Sequence, residues 1–169
     1  MARYNVAEWA QHLQLKKHVE GGWYSEVYRS SLQLPQSLLP EFNGDRSACT
    51  HIYFLLEQGD FSAFHRIKSD ELWHFYDGDG LVVYELDESG QLTEHKLGLD
   101  IANGFVPFCM IRKGSWFGSS VWSHGKFALV GCTVAPGFDF ADFELAKANE
   151  LSNQFPEHET LIARLCREL

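Results

Sequence analysis

The feature that most constrains the fold is a train of short alternating segments between residues 48 and 134. They fall at 48–57, 61–67, 71–76, 81–87, 91–97, 105–112, 115–122 and 126–134. Turn signals part them: Gln58-Gly59-Asp60, Asp77-Gly78-Asp79-Gly80, Glu88-Ser89-Gly90, Lys113-Gly114 and His124-Gly125-Lys126. Alternation of period two is the mark of strands with one face buried. No helix-period segment lies between them, so βαβ units are excluded and an all-β sandwich or barrel is expected. "WYSEVYRSSL", starting at Trp23, alternates in the same way, whereas "LPQSLLPEFNGDRS" (34–47) reads as an exposed loop.

Helical patterns flank this β region. Residues 5–17 read as a first helix: Asn5 and Glu8 have the spacing of a capping box, Trp9 and Leu13 share a face, and Lys16 and Lys17 suit the C-terminal end. Paired glycines in "EGGW" (20–23) then break it. Residues 141–152 and 157–168 read as two C-terminal helices, with Pro156 just before the second. No repeat or linker interrupts the 169 residues, so residues 1–169 are expected to form one domain.

Composition removes several function classes. The chain carries a net charge of −9, which argues against binding a nucleic-acid backbone. No apolar run is long enough for a membrane span, and the N-terminal segment lacks a secretory pattern. Cys49, Cys109, Cys132 and Cys166 form no CxxC pair, so reduced thiols and a cytoplasmic setting are expected.

The chemistry concentrates in "FHRIKSDELWHFYDGDG", residues 64–80. Alternation puts Ala63, His65 and Ile67 on one face of their strand, with Arg66 and Lys68 on the other. On the next strand Glu71, Trp73 and Phe75 share a face and His74 points away. An inward His and an inward carboxylate are costly to bury unless paired, so packing alone does not account for them.

These residues resemble a known family. Gly59, His65, Ile67, Glu71 and Gly78 have the spacing of the first motif of the cupin superfamily, with Ile67 where that motif has a His. "IRKGSWF" (111–117) resembles the second motif, with Arg112 in place of a proline and Phe117 in place of a His. "HVEGGWYSEVYRS", "GSWFGS" and "GCTVAPGFDFADFEL" extend the likeness to one functionally uncharacterised cupin branch. The resemblance implies a jelly-roll β-barrel with an interior pocket, helices at its ends, and often a homodimer. It implies no single reaction, since cupins include isomerases, epimerases, dioxygenases, decarboxylases and binding proteins.

Cupins that bind metal supply three His and one Glu. Here Ile67 and Phe117 leave only His65 and Glu71, too few for a usual first-row metal site. His51 sits on another strand of unknown register, and His124 in a turn. No cofactor is therefore expected, and a divalent metal held by His65 and Glu71 is the last of three alternatives. The first is a metal-independent enzyme of isomerase or epimerase type, with His65 as base and Glu71 as its carboxylate partner, acting on a sugar-like or keto substrate. Metal-free cupin epimerases that use a His base give that class its precedent. The second is a cupin that binds a small molecule without catalysis.

Further pocket candidates follow from alternation. Ile67, Trp73, Trp116 and Phe117 could form an apolar wall, or simply pack in the core. Ser119, and Ser115 with it, would face inward if Phe117 does. Thr50 and Ile52 are expected inward, with His51 and Tyr53 outside. Tyr24 and Glu26 share a face that would cover the barrel mouth or form a dimer edge. Cys132 could line the barrel, although a lone Cys with apolar flanks reads more readily as inert core. In "APGFDFADFEL", Asp139 or Asp142 would cap the following helix.

Overall fold

The computed structural model describes residues 4–167. Helix α1 (Val6–His12) opens on the expected capping box: Asn5 Oδ1 accepts the Glu8 amide at 3.0 Å, and Glu8 Oε2 accepts the Asn5 amide at 2.8 Å. The helix stops short of residue 17. Val6, Trp9 and Leu13 pack over Leu55, Phe127 and Leu129, and Leu15 joins them from beyond the helix end. Lys16–Lys17 instead forms strand β1, paired with the start of β2 (Trp23–Arg29).

The short strands are present close to their expected positions. β3 (Gln33–Leu34) and β4 (Arg46–Ser47) pair within the region read as an exposed loop. That loop is pinned rather than free. Phe42 is buried, and Arg46 makes a bidentate pair with Asp142 at 2.7 and 2.9 Å. Asp142 therefore does not cap a helix. Asp139 does, accepting the Ala141 amide of a single 3-10 turn, Phe140–Asp142.

Two antiparallel sheets pack face to face. One has the order β1-β2-β5-β12-β7-β10, with β5 (Thr50–Glu57), β7 (Asp70–Gly78), β10 (Phe108–Ile111) and β12 (Phe127–Ala135). The other has the order β13-β6-β11-β8-β9, with β6 (Phe61–Arg66), β8 (Leu81–Leu86), β9 (Leu92–Leu97), β11 (Trp116–Val121) and β13 (Glu144–Leu145). Leu56, Ile67, Trp73, Val83, Phe117 and Val130 fill the space between them. The result is the jelly roll that the resemblance implied.

A single helix over 141–152 does not form. Glu144 and Leu145 lie beside Arg66 and His65 and complete the edge of β6, whose backbone groups would otherwise lack a sheet partner. Helix α2 (Ala148–Gln154) starts after that strand. Pro156 opens a 3-10 turn before α3 (Glu159–Arg164), and residue 168 of the expected helix lies outside the described residues. The two helices bury Leu151, Phe155, Ile162 and Leu165 against Phe64, Leu86 and Trp116, on the outer face of the five-stranded sheet. Among the described residues no helix is long and apolar enough to cross a membrane.

Candidate functional site

A cleft of about 400 Å³ opens between the sheets at the edge where β2, β5, β7 and β12 meet β6. His65 and Glu71 stand at its buried end, 3% and 8% exposed. Thr50, Ile52, Tyr24 and Glu26 also line it. Ile67, Trp73, Phe117 and Ser119 lie behind this lining as buried core. Phe117 contacts His65 directly, with ring centroids 4.1 Å apart.

Trp116 is not part of this wall. It neighbours Phe117 on one strand, and adjacent side chains take opposite faces. Trp116 consequently packs under the C-terminal helices, with the Arg66 guanidinium 4.5 Å above its ring. His74 and His51 both lie on the outer face, His51 bonded to Thr133 Oγ1 at 2.7 Å and to the Tyr76 hydroxyl at 3.1 Å. His124 is exposed in its turn.

The carboxylate that meets His65 is Glu20, not Glu71. His65 Nε2 lies 3.2 Å from Glu20 Oε2, and His18 Nδ1 lies 3.4 Å from the same oxygen. Ser62 Oγ donates to Glu20 Oε1 at 2.9 Å. Sequence reasoning treated "EGG" only as a helix break. The signal was the glycine pair itself. Gly21 and Gly22 have φ of +112° and +70°, where side chains are strained. A Cβ at Gly21 would also collide with the Phe61 carbonyl and Arg167. Only this tight turn lets residue 20 dock on β6, where the Ala63 amide donates to the Glu20 carbonyl at 2.8 Å and Arg167 Nε donates to it at 3.1 Å.

The hydrogen bonds fix where the protons are. Ala63 O can only accept, so His65 Nδ1, 2.7 Å away, carries a hydrogen. Nε2 of a neutral His65 is then a lone pair facing Glu20 Oε2. His18 Nδ1 accepts the Glu20 amide at 3.3 Å, so it too turns a lone pair toward Glu20. The contacts have ion-pair distances, but burial disfavours both charges. It pushes the His65 pKa down to about 4, lowers that of His18, and raises that of Glu20. Burial thus favours a proton on Glu20, whose Oε2 faces both imidazole lone pairs.

Glu71 stands apart from this network. Burial, and then the nearby charge of Glu20, push its pKa up to about 8; the Cys132 thiol donates to it and opposes the shift. Arg29 supplies no free positive charge, because its guanidinium grips Glu26 at 2.9 and 2.8 Å. The floor of the cleft is thus acidic in composition, and burial favours the neutral forms of His65, His18, Glu20 and Glu71.

The donor set does not fit the metal that the fold family would imply. Ile67 and Phe117 occupy two of the expected ligand positions, and the Phe117 ring fills the space beside His65. Among the described residues no group of three or more His, Cys, Asp or Glu is placed to hold a metal ion.

Two sheets rolled around an interior cleft, with His65 and Glu71 on facing strands, define a cupin-type protein. The family described as "Cupin superfamily (DUF985)" matches residues 7–146, and the chain belongs to that family. It is similar to protein SO0799 from Shewanella oneidensis, with 39% identity and a TM-score of 0.88 over 98% of this chain and 99% of that one. It is also similar to a hypothetical protein from Leishmania major, with 34% identity and a TM-score of 0.89 over 98% of this chain and 100% of that one. The uncharacterized protein YML079W of Saccharomyces cerevisiae is 29% identical over 149 residues, 81% of this chain and 73% of that protein. None of these three names states an activity.

Proposed function

We propose that the cleft binds a small, mainly uncharged organic molecule, sugar-like or keto in character, and that its chemistry is proton transfer without a metal, as in an isomerase or epimerase. One observation carries this reading: three buried acid–base groups, His65, Glu20 and Glu71, meet at the closed end of a cleft of about 400 Å³. Such a volume suits a small ligand. Phe138, Phe140 and Tyr24 give it apolar walls. Strongly perturbed groups in a cleft are characteristic of functional sites.

The test is a thermal-shift screen of aldoses, ketoses and neutral hydroxyketones on the wild type and on Ile52→Trp, which fills the cleft. A ligand that stabilises the wild type and not the variant is expected. Stabilisation that survives in Ile52→Trp places binding elsewhere and sinks the reading. Tight binding with no turnover for any ligand leaves the non-catalytic binding protein as the function.

We also propose a homodimer formed through the outer face of the six-stranded sheet. The C-terminal helices cover the other sheet and α1 covers one end of this face at Leu55, Phe127 and Leu129, whereas Tyr28, Tyr76 and Phe108 are exposed here beside His51, Tyr53 and His74. In a chain of net charge −9, these uncharged aromatic and imidazole side chains are where two copies meet with least repulsion. Light scattering should give a dimer that Tyr76→Glu with Phe108→Glu dissociates; a monomeric wild type would remove the proposal.

A further inference from the structure

His65 has no ring nitrogen left for a ligand. Its Nδ1 hydrogen is committed to the Ala63 carbonyl and its Nε2 faces Glu20. Glu20 is equally committed, with Ser62 on one oxygen and His65 and His18 on the other. His65 and Glu20 are thus closed to a ligand, whereas His18, which also lines the cleft, is engaged through Nδ1.

Glu71 is different. It projects from β7 into the same cleft, and its bond in this structure is to the Cys132 thiol alone among the described residues. A thiol is a weak donor, and a carboxyl has two oxygens and about four lone-pair sites. A carboxyl more than nine-tenths buried, lining the cleft and left with that unused capacity, is the acid–base group at the floor with lone pairs free for a ligand.

We propose that Glu71, rather than His65, is the catalytic residue that exchanges a proton with the bound molecule, and that His65, Glu20 and His18 are positioning residues that hold the cleft floor. This rests on the reading of the cleft as a proton-transfer site for a sugar-like or keto compound.

In the step itself, a Glu71 carboxylate oxygen takes the proton from the carbon beside the carbonyl. The C–H electron pair becomes the C=C bond of an enolate, and the carbonyl π pair moves to oxygen. The Glu71 carboxyl then returns a proton to the same carbon as the oxygen's pair re-forms the carbonyl; return to the neighbouring carbon also passes the α-hydroxyl proton to the enolate oxygen, so that the former hydroxyl becomes the new carbonyl. No oxidant or second reactant is needed. A carboxyl whose proton is held to about pH 8 is a stronger base when ionised than an ordinary one, so the active form accumulates as pH rises through that value.

The groups that face Glu71 set this behaviour. Cys132 on β12 donates to it. Cys109 on β10 is close enough for its thiol to be raised by the Glu71 charge. Glu20 lines the same cleft and, when ionised, disfavours a charge on Glu71; bonded to it are His18 on the segment before β2 and Ser62 and His65 on β6.

The experiment has two arms. In the first, 1,3-dihydroxyacetone is incubated with the protein in deuterium oxide, and loss of its C–H proton signal is followed by NMR against a buffer blank. The wild type should catalyse exchange at a rate that rises with pH and levels off above about pH 8. Glu71→Gln should lose about 10³-fold or more and the pH rise with it. His65→Asn should lose at most about 10²-fold, as misplacement does, and keep the same pH rise. Exchange that survives Glu71→Gln but not His65→Asn makes His65 the base and overturns the assignment. No wild-type exchange overturns the proton-transfer reading, and the proposal falls with it.

The second arm needs no ligand. With glutamate carboxyls labelled by carbon-13, the resonance that disappears in Glu71→Gln should stay protonated through neutral pH. If it titrates in the ordinary carboxylate range, the assignment is overturned even where exchange is seen.

Discussion

Two imidazole clusters occupy opposite surfaces of the same sheet system. The inner one joins His18, Glu20, His65 and Ser62 behind the cleft; the outer one joins His51, Thr133 and Tyr76, with His74 against Thr133 at 3.3 Å. Their chemistry is alike on paper, hydroxyls and carboxyls aside. Their environments are not. The inner groups are almost wholly out of water, so desolvation dominates each shift and the network carries as little charge as its protons allow. His51 is only half-buried, and its pKa is lowered first by that partial burial and then by His74. Strand alternation decides which histidine goes where; water then decides what it can do.

The comparison can be broken most severely at Gly21. A side chain there must take a φ of +112° and push the Phe61 carbonyl or Arg167 aside. Gly21→Ala should cost about 3 kcal/mol of stability, a positive-φ penalty with a backbone clash added. In whatever folded protein remains, water reaches Glu20, and the His65 pKa should rise from about 4 toward its usual value. Urea unfolding and histidine NMR titration read the two effects. An unchanged midpoint would mean that the turn does not hold Glu20 in place. Gly131→Ala perturbs the outer cluster instead, because a Cβ there meets the His51 ring and the Tyr76 hydroxyl. Those are flexible, partly exposed groups that can move aside, so the loss should be smaller.

Glu71 gives the next largest effect, and its sign is opposite to that of a paired surface acid. Its folded pKa of about 8 lies above the unfolded 4.5, so the folded state binds more protons in between. Stability from this group is fully present below pH 4.5 and is lost as pH rises toward 8. Wild type should therefore weaken relative to Glu71→Gln by up to about 1.4 kcal/mol per pH unit across that window. His65 runs the other way. Its folded value of about 4 lies below 6.5, so its contribution is present above pH 6.5 and is lost on acidification toward pH 4. A difference between wild type and Glu71→Gln that stays flat from pH 4.5 to 8 would show that Glu71 is ionised and hydrated in the folded protein.

Much of this arrangement was legible in the sequence because it follows from alternation. Thr50, Ile52, His65 and Glu71 face inward as the period-two pattern required, and His74 faces out. The error over Trp116 also belongs to alternation: it and Phe117 are neighbours on one strand and could not share a wall. Glu20 was not legible in that way. Its partner His65 lies far along the chain, and the contact depends on how the turn at 18–22 docks on β6, a tertiary register that no local period encodes. The glycine pair was the trace it left, readable as a demand for positive φ but silent about what residue 20 would touch. Lys16 and Lys17 failed for a related reason. Their helical spacing was sound, but pairing with β2 satisfied backbone groups that a solvated last helical turn would have left to water.

The smallest effect tests the outer cluster. Thr133 Oγ1 bonds His51 at 2.7 Å and His74 at 3.3 Å, so Thr133→Val keeps the shape and removes the hydroxyl that both rings share. Because water can replace the lost partner on this half-exposed face, the cost in unfolding free energy should be only about 1 kcal/mol. The matching inner change, Ser62→Ala, strips Glu20 Oε1 of its donor where no water can follow, and should cost more, about 2 kcal/mol. The two substitutions each delete one hydroxyl from one imidazole–hydroxyl network, so their difference isolates the effect of burial. Equal losses by urea unfolding would mean that water enters the cleft as freely as it reaches the outer face, and that the dry floor assigned to His65 and Glu71 does not exist.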